Sequence, residues 1–365
     1  MSKEVYKQLL EVMKKRGGNY AGMDIPEFYE MVEELFTPEE AEVNNALPSK
    51  PAMASEIAKE MGKNEAEIDT ILEGMANKGL CIALKRDSNQ YYQASPFFFG
   101  IFEFIFLRGG TTDRDKRLAK LIRAYKKAYN SNMGPVQINF PSSRVITVDR
   151  MIAAGDTIHT YSQVQSYIEK YDPISVGACY CRHEAKLAGE DIHGMPMDVC
   201  LYFGQSAEFA IERLGARKLS KKEARGVLDQ AEKAGLVHMS TNTTDDIRFI
   251  CNCDRWHCGP IKRVLAQSKP GLIFNSGFKP QFDPDECKAC ETCIERCPPE
   301  ALTMGEKDVP EVDFDRCFGC AVCATGCPSE AIKMVAKEGF PEPPKDAKAL
   351  REAIEASRQA SRIRK

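Results

Sequence analysis

Residues 287–298 read CKACETCIERCP, and residues 317–328 read CFGCAVCATGCP. Each stretch has the form C-x2-C-x2-C-x3-C-P, and the second follows the first by 30 positions. The flanks repeat too: CPPEALTM at 297–304 stands against CPSEAIKM at 327–334. The chain has 15 cysteines; eight lie in these two stretches, and 14 lie between Cys179 and Cys327. A disulfide framework belongs to small secreted domains. This chain has 365 residues, and MSKEVYKQLL at its start lacks the apolar run of a signal peptide. A cytoplasmic protein is therefore expected, in which clustered thiolates read as metal ligands. Pro298 and Pro328 end short helices and turn the chain into strands at Ala301-Leu302 and Ala331-Ile332.

The doubled motif resembles the bacterial two-cluster ferredoxin domain, over about 57 residues of the chain. Three closely spaced cysteines wrap one face of a cube, and the fourth reaches across to the other cube. On that pattern Cys287, Cys290, Cys293 and Cys327 hold one [4Fe–4S] cluster, and Cys317, Cys320, Cys323 and Cys297 hold the other. The competing reading is two zinc sites. Zinc modules, however, pair C-x2-C knuckles far apart and need no consecutive triplets each closed by Cys-Pro. Between Pro280 and Ala336 there are 12 acidic and 5 basic residues, a formal −7 before any thiolate. Such a face suits docking against a basic redox partner, because complementary fields speed encounter. The plainer alternative is a solvated acidic surface.

Six more cysteines form a second constellation. Cys179-Tyr180-Cys181-Arg182-His183 follows a predicted strand at Ile174–Ala178, and Cys200 comes 19 residues after Cys181. Cys251-Asn252-Cys253 follows another strand, with His257 and Cys258 close behind. A C-x-C at a strand end puts two sulfurs near one point. Cys179, Cys181, Cys251 and Cys253 are the first-choice ligands of a third metal centre, with Cys200 and Cys258 as further candidates. An iron–sulfur cluster is favoured there over zinc, and Arg182 and His183 are placed to tune it. The competing reading is a set of buried free thiols.

The whole arrangement resembles a group of anaerobe proteins over roughly residues 50–336. They combine a winged-helix-like segment, a C-x-C-R…C motif, an ICNC motif and a C-terminal two-cluster ferredoxin domain. The matching residues are Cys179, Cys181, Arg182, Cys200 and Ile250-Cys251-Asn252-Cys253. After Cys253 this sequence reads Asp254-Arg255-Trp256-His257-Cys258, where the group carries more cysteines, so the ligand set of the third site stays open. The resemblance implies iron–sulfur electron transfer.

The expected fold is α+β and multidomain. Residues 1–48 form a helical N-terminal segment, with Tyr6, Leu9, Leu10 and Met13 at helical spacing, a break at Gly17-Gly18 and a second helix from Pro26. Residues 49–140 form a winged-helix-like module: helix, a helix behind the capping-box pattern at Asn64–Glu67, and a hairpin turning at Asp87-Ser88-Asn89. Residues 141–279 form a cysteine-rich, mixed α/β metal-binding domain, with a strand at 144–148 and a helix at 161–171. The pattern of helix, glycine and hairpin recurs there, from Ser220 through Gly235 to Cys251, which hints at two related modules. Residues 280–336 form a separate ferredoxin domain, and 337–365 a charged helical tail.

Several signals carry less. Asn64–Lys78, the putative recognition helix, holds Glu65, Glu67, Asp69 and Glu73 against Lys78, so nucleic acid is not a favoured partner. The apolar stretch Phe97–Leu107 is shorter than the about 18 residues a membrane helix needs and reads as core. The basic run Arg114–Lys127 reads as a solvated face. His159, His193 and His238 read as structural. No Rossmann or Walker fingerprint is present. The favoured function is electron transfer to or from a partner enzyme, as a carrier or an oxidoreductase subunit. The alternatives are a redox-sensing transcription regulator and a reductase with catalysis at the middle metal site.

Overall fold

Caps and left-handed residues written into the sequence set most element boundaries. A computed structural model describes residues 2–133, 140–154, 164–245 and 247–363. In chain order its elements are α1 (Ser2–Arg16), α2 (Pro26–Leu35), α3 (Pro38–Ala46), α4 (Ala54–Met61), α5 (Glu65–Lys78), β1 (Cys81–Arg86), β2 (Asn89–Ala94), α6 (Phe102–Phe106) and α7 (Asp113–Met133). Then come β3 (Ser143–Ile146), α8 (Val164–Lys170), β4 (Ile174–Ala178), α9 (Tyr180–Leu187), β5 (Asp198–Phe203), α10 (Gln205–Leu214), β6 (Arg217–Leu219) and α11 (Lys221–Lys233). The chain continues through β7 (Val237–Thr241), β8 (Phe249–Cys253), α12 (Gly259–Leu265), α13 (Pro270–Ile273), β9 (Phe278–Phe282), α14 (Thr292–Glu295), β10 (Leu302–Met304), β11 (Pro310–Val312), α15 (Val322–Thr325), β12 (Ile332–Ala336) and α16 (Ala347–Ile363). His159, Tyr161 and Asp246, which enter the expectations above, lie outside the described residues. Mixed helix and sheet is the α+β class expected.

The chain divides into two compact units. One comprises Met1–Val136, Gly177–Ile192 and Glu208–Arg217, the other Gln137–Val176, His193–Ala207 and Lys218–Lys365.

In the first unit α1 stops at Gly17 and Gly18, both at positive φ, and Pro26 opens α2. A capping box of Thr37 and Glu40 starts α3, a helix that periodicity alone does not separate. α4, α5 and the β1–β2 hairpin then follow in the expected order, the hairpin turning at Asp87 and Ser88, both left-handed. The acids on α5 find partners inside this unit. Tyr92 Oη donates to Asp69 (3.0 Å) and Glu73 (2.6 Å), and Arg213 forms an ion pair with Glu73. Phe97, Phe98, Ile101, Phe102, Phe106 and Leu107 are buried, so the apolar run is core. α7 buries Leu118, Ala119, Ile122 and Tyr125, while Arg114 pairs with Glu34 and Lys126 with Glu184, which leaves its basic run a largely solvated, ion-paired face.

The second unit is built on a six-stranded sheet in the order β3-β7-β8-β5-β4-β6. The pairs β3–β7, β7–β8 and β5–β8 are antiparallel. Alternation along each strand sorts side chains between two faces. On one face Ile146, Val199, Leu201, Phe203 and Ile250 share a core with residues of α8 and α11. On the other, Val145, Val237, Met239, Cys251 and Cys253 pack with Ile261 and Val264 of α12 and with Phe318. Gly79 and Gly235 both end a helix at positive φ before a hairpin. The likeness of the two modules stops there, because β1–β2 is a sheet by itself and β7–β8 lies inside the six-stranded one.

The ferredoxin-like segment contributes two hairpin-like pairs, β9 with β12 and β10 with β11. Composition sets 280–336 apart, yet its core includes Val148 and Met151 from before α8. Ile152 bridges to Met334, and Ala153 N–H donates to Met334 O (2.8 Å). Arg296, just after α14, donates to Glu232 O (2.8 Å) and Lys233 O (3.1 Å) at the end of α11. Those last-turn carbonyls lack intrahelical partners and favour a cation. A Cβ at Gly326 would collide with the Arg296 side chain. The tail is tied down at its start, where Thr244 and Asp245 N–H donate to Pro344 and Lys345 carbonyls, and α16 is largely exposed beyond Leu350. Among the described residues no helix is long and apolar enough to cross a membrane.

Arg296→Ala should lower the stability of the second unit by about 2 kcal/mol, the scale of hydrogen bonds to a charged donor. Arg296→Lys, which cannot fork across two carbonyls, should recover less than half of that. Denaturant midpoints of anaerobically prepared protein measure both, and two unchanged midpoints would show that Arg296 does not hold the segment.

Candidate metal centre

The 30-residue sequence repeat is also a backbone repeat. Ala289 and Gly319, Glu291 and Ala321, and Glu300 and Glu330 stand at matching positions, and all have positive φ. Cys287 N–H donates to Asp283 O, as Cys317 N–H does to Asp313 O. Asp283 N–H in turn donates to Ala331 O and Asp313 N–H to Ala301 O, so each half opens against the close of the other (2.8 Å in both). Alternating left- and right-handed residues turn successive N–H groups into concavities that suit an anionic centre.

Cys287, Cys290, Cys293 and Cys327, expected to surround one cluster, line a single pocket of about 330 Å³. Phe282, Pro310 and Ile332 supply its apolar wall. Four thiols from separated turns around a common space are the donor set a cubane requires. Cys290 is exposed, Cys287 and Cys327 are half-buried, and Cys293 is buried. The other four, Cys297, Cys317, Cys320 and Cys323, are all buried. Burial pushes the Cys293 and Cys297 thiols up to about 11 and raises Cys320 and Cys323 further. The hydroxyl and N–H of Thr292 hold exposed Cys290 below the usual thiol range. Buried thiolates of this kind form when a metal stands beside them. Ala301 N–H donates to Cys297 Sγ (3.3 Å), one of the contacts through which a protein tunes cluster potential.

The two loops differ because residues upstream of β9 grip only the second. Gly271 N–H donates to Asp315 O (2.7 Å), and Lys269 pairs with Asp315 (2.8 Å). Ser276 N–H donates to Phe318 O (3.1 Å), and Ser276 Oγ donates to Gly319 O (2.7 Å). The Phe274 and Phe318 rings meet edge to face at 5.8 Å. A Cβ at Gly319 would collide with the Phe278 carbonyl and lie 2.5 Å from Ser276 Oγ. Sequence reasoning missed Gly271, Ser276 and Phe274. The available signal was the break in the repeat, glycine at 319 where 289 carries alanine.

The middle cysteines divide between the units. Cys179 is the N-cap of α9 and Cys181 lies in its first turn, so this C-x-C is a strand-to-helix junction rather than a strand end. Both belong to the first unit. There Arg182 is fully buried, and His183 Nε2 is bonded to Gly110 O (2.7 Å). Cys200 on β5, Cys251 and Cys253 on β8, and Cys258 at the N-cap of α12 all belong to the second unit. His238 is buried against Asn252 and Glu232, as a structural histidine would be. His193 stacks near Trp256 (4.9 Å) and His257 (5.8 Å). Cys81, outside every motif, is buried with its Sγ toward Leu72 O. Among the described residues no three or more His, Cys, Asp or Glu side chains gather around a single-ion position, the ferredoxin-segment cysteines included.

Residues 286–331 match the model of a family described as the 4Fe-4S dicluster domain. No curated protein is matched by the chain. The match, together with the thiol-lined pocket, makes the C-terminal part of the second unit a ferredoxin-type iron–sulfur domain.

Gly319→Ala should release the iron of the buried site, about 4 per chain, and Ala289→Gly should release none. Iron and sulfide analysis of anaerobic preparations distinguishes them. Equal loss in both variants, or loss in neither, contradicts the asymmetry of the two loops.

Proposed function

We propose that the chain is an iron–sulfur electron-transfer protein, acting as a carrier or as the electron-transfer subunit of an oxidoreductase. The observation that carries this reading is the pocket lined by Cys287, Cys290, Cys293 and Cys327 inside the segment that matches the dicluster family. When bound, [4Fe–4S] clusters supply one-electron redox chemistry without atom transfer. On this reading those four cysteines hold one cluster, and Cys317, Cys320, Cys323 and Cys297 hold the other. A third metal centre on the middle cysteines belongs to the same reading.

The chain's own residues give the domain a docking side. Cys290 is exposed, and Asp283, Asp285, Glu286, Glu291 and Glu295 are exposed around it. A redox partner that approaches this loop meets negative charge and needs a basic surface. The alternative is a redox-sensing regulator, favoured by the winged-helix-like order of residues 54–94. Against it stand Glu65, Glu67, Asp69 and Glu73 on the helix that would face phosphates.

The test mixes reduced full-length protein with a basic one-electron acceptor, cytochrome c, at low and high ionic strength. Transfer should slow as salt rises, because exposed charges are screened within about 10 Å at 0.1 M. Cys290→Ser should disturb one ferredoxin signal in EPR and leave the other. A rate indifferent to salt would overturn the docking argument and point to a permanent subunit held by apolar contacts. Sequence-specific DNA binding at physiological salt would favour the regulator.

A further inference from the structure

We propose that Cys200, Cys251, Cys253 and Cys258 form one thiolate site for an iron–sulfur cluster on the sheet face that carries the second ferredoxin loop. The inference deepens the electron-transfer reading and rests on it. It replaces the pairing of strand ends suggested by spacing with a set drawn from one compact unit.

Strand geometry places three of the four. Residues two apart on a strand share a face, so Cys251 and Cys253 of β8 lie on the same side. Their partners on β7 are Met239 and Val237, which lie in the same buried cluster as Cys253. On β5, Val199, Leu201 and Phe203 pack on the opposite, helix-covered face, which leaves Cys200 on the cysteine side. Leu201 pairs with Ile250, and the same antiparallel register continued by one residue sets Cys200 across from Cys251. Directly opposed residues of an antiparallel pair lie within side-chain reach.

A buried turn supplies the fourth. Asp254 is 3% exposed, and its Oδ1 accepts from Trp256 N–H (2.8 Å) and His257 N–H (2.6 Å). This Asx-type turn reverses the chain straight after β8. Cys258 then returns as the N-cap of α12, in the same buried cluster as Cys253. Cys320, Phe318 and Val322 of the second ferredoxin loop belong to that cluster too. The proposed site therefore adjoins the buried ferredoxin site, not the exposed one.

The donor set selects the class of cofactor. Four soft thiolates suit zinc or an iron–sulfur cluster. One zinc ion needs its ligands gathered at about 2.3 Å from a single point. No described group is so gathered, and the ferredoxin-segment cysteines share that property. A cubane binds each thiolate to a different iron and takes thiols set further apart.

The test is iron, zinc and sulfide analysis with EPR on anaerobically prepared full-length protein, comparing Cys253→Ser, Cys258→Ser, Cys200→Ser and the control Cys81→Ser. Wild type and the control should hold about 12 iron per chain, and each of the other variants about 8. The two ferredoxin signals should persist in the variants, which reports their folding in the same sample. Where Cys253→Ser fails to fold, Cys200→Ser and Cys258→Ser, on other elements, carry the test. The signal of the buried ferredoxin cluster should also lose a magnetic interaction in the variants, and that of the exposed one should not. About 8 iron in wild type, unchanged in the variants, would overturn this site and leave the two-cluster function standing. Zinc in place of the extra iron would overturn the cofactor class. Loss of the extra iron on Cys179→Ser with none lost on Cys258→Ser would overturn the ligand set. Absence of iron altogether would sink the electron-transfer reading itself.

Discussion

The second cysteine loop has no room for a side chain at position 319. Its backbone is pressed against Ser276 and Phe278, and the Ser276 hydroxyl closes the contact on the Gly319 carbonyl. A left-handed residue is needed there by the repeat, and only glycine meets both demands. From this contact follows the asymmetry of the domain. One loop is fixed to the linker between α12 and β9, and its four thiols are buried. The other keeps an exposed cysteine and a free acidic rim.

That asymmetry gives each half a different job. The exposed half faces solvent with carboxylates that attract a basic partner and speed encounter. The buried half faces the sheet, where water is excluded and Phe318 and Val322 share a core with Cys253 and Cys258. Arg296 and the Ile152–Met334 bridge fix the same orientation from two other directions. A loosely tethered domain would not need three separate attachments to the sheet unit.

The cysteine spacing was legible because ligand geometry is local: C-x2-C-x2-C forces a tight turn whatever surrounds it. Caps were legible for the same reason, as at Asn64 and Ser220. The attachment of the ferredoxin segment was not. Val148, Met151, Gly271 and Ser276 carry no motif, and their role depends on chain that meets them 40 to almost 200 residues away. The C-x-C at 179–181 misled for an instructive reason. A strand followed by two cysteines looks the same in sequence whether the strand continues or a helix begins, and here Cys179 caps α9. Alternation along β5 and β8, by contrast, became informative only once the register was known. Neither strand reveals from its own residues that Cys200 and Cys251 are neighbours.

Mössbauer spectroscopy of isotope-enriched, anaerobically prepared full-length protein tests the central claim most directly, because it counts iron by cluster type without requiring a partner. The account predicts at least about 8 iron per chain, all in [4Fe–4S] form, with half of the ferredoxin iron more resistant to added chelator than the other half. Iron absent, or present only as isolated ions with zinc on the thiols, would contradict it.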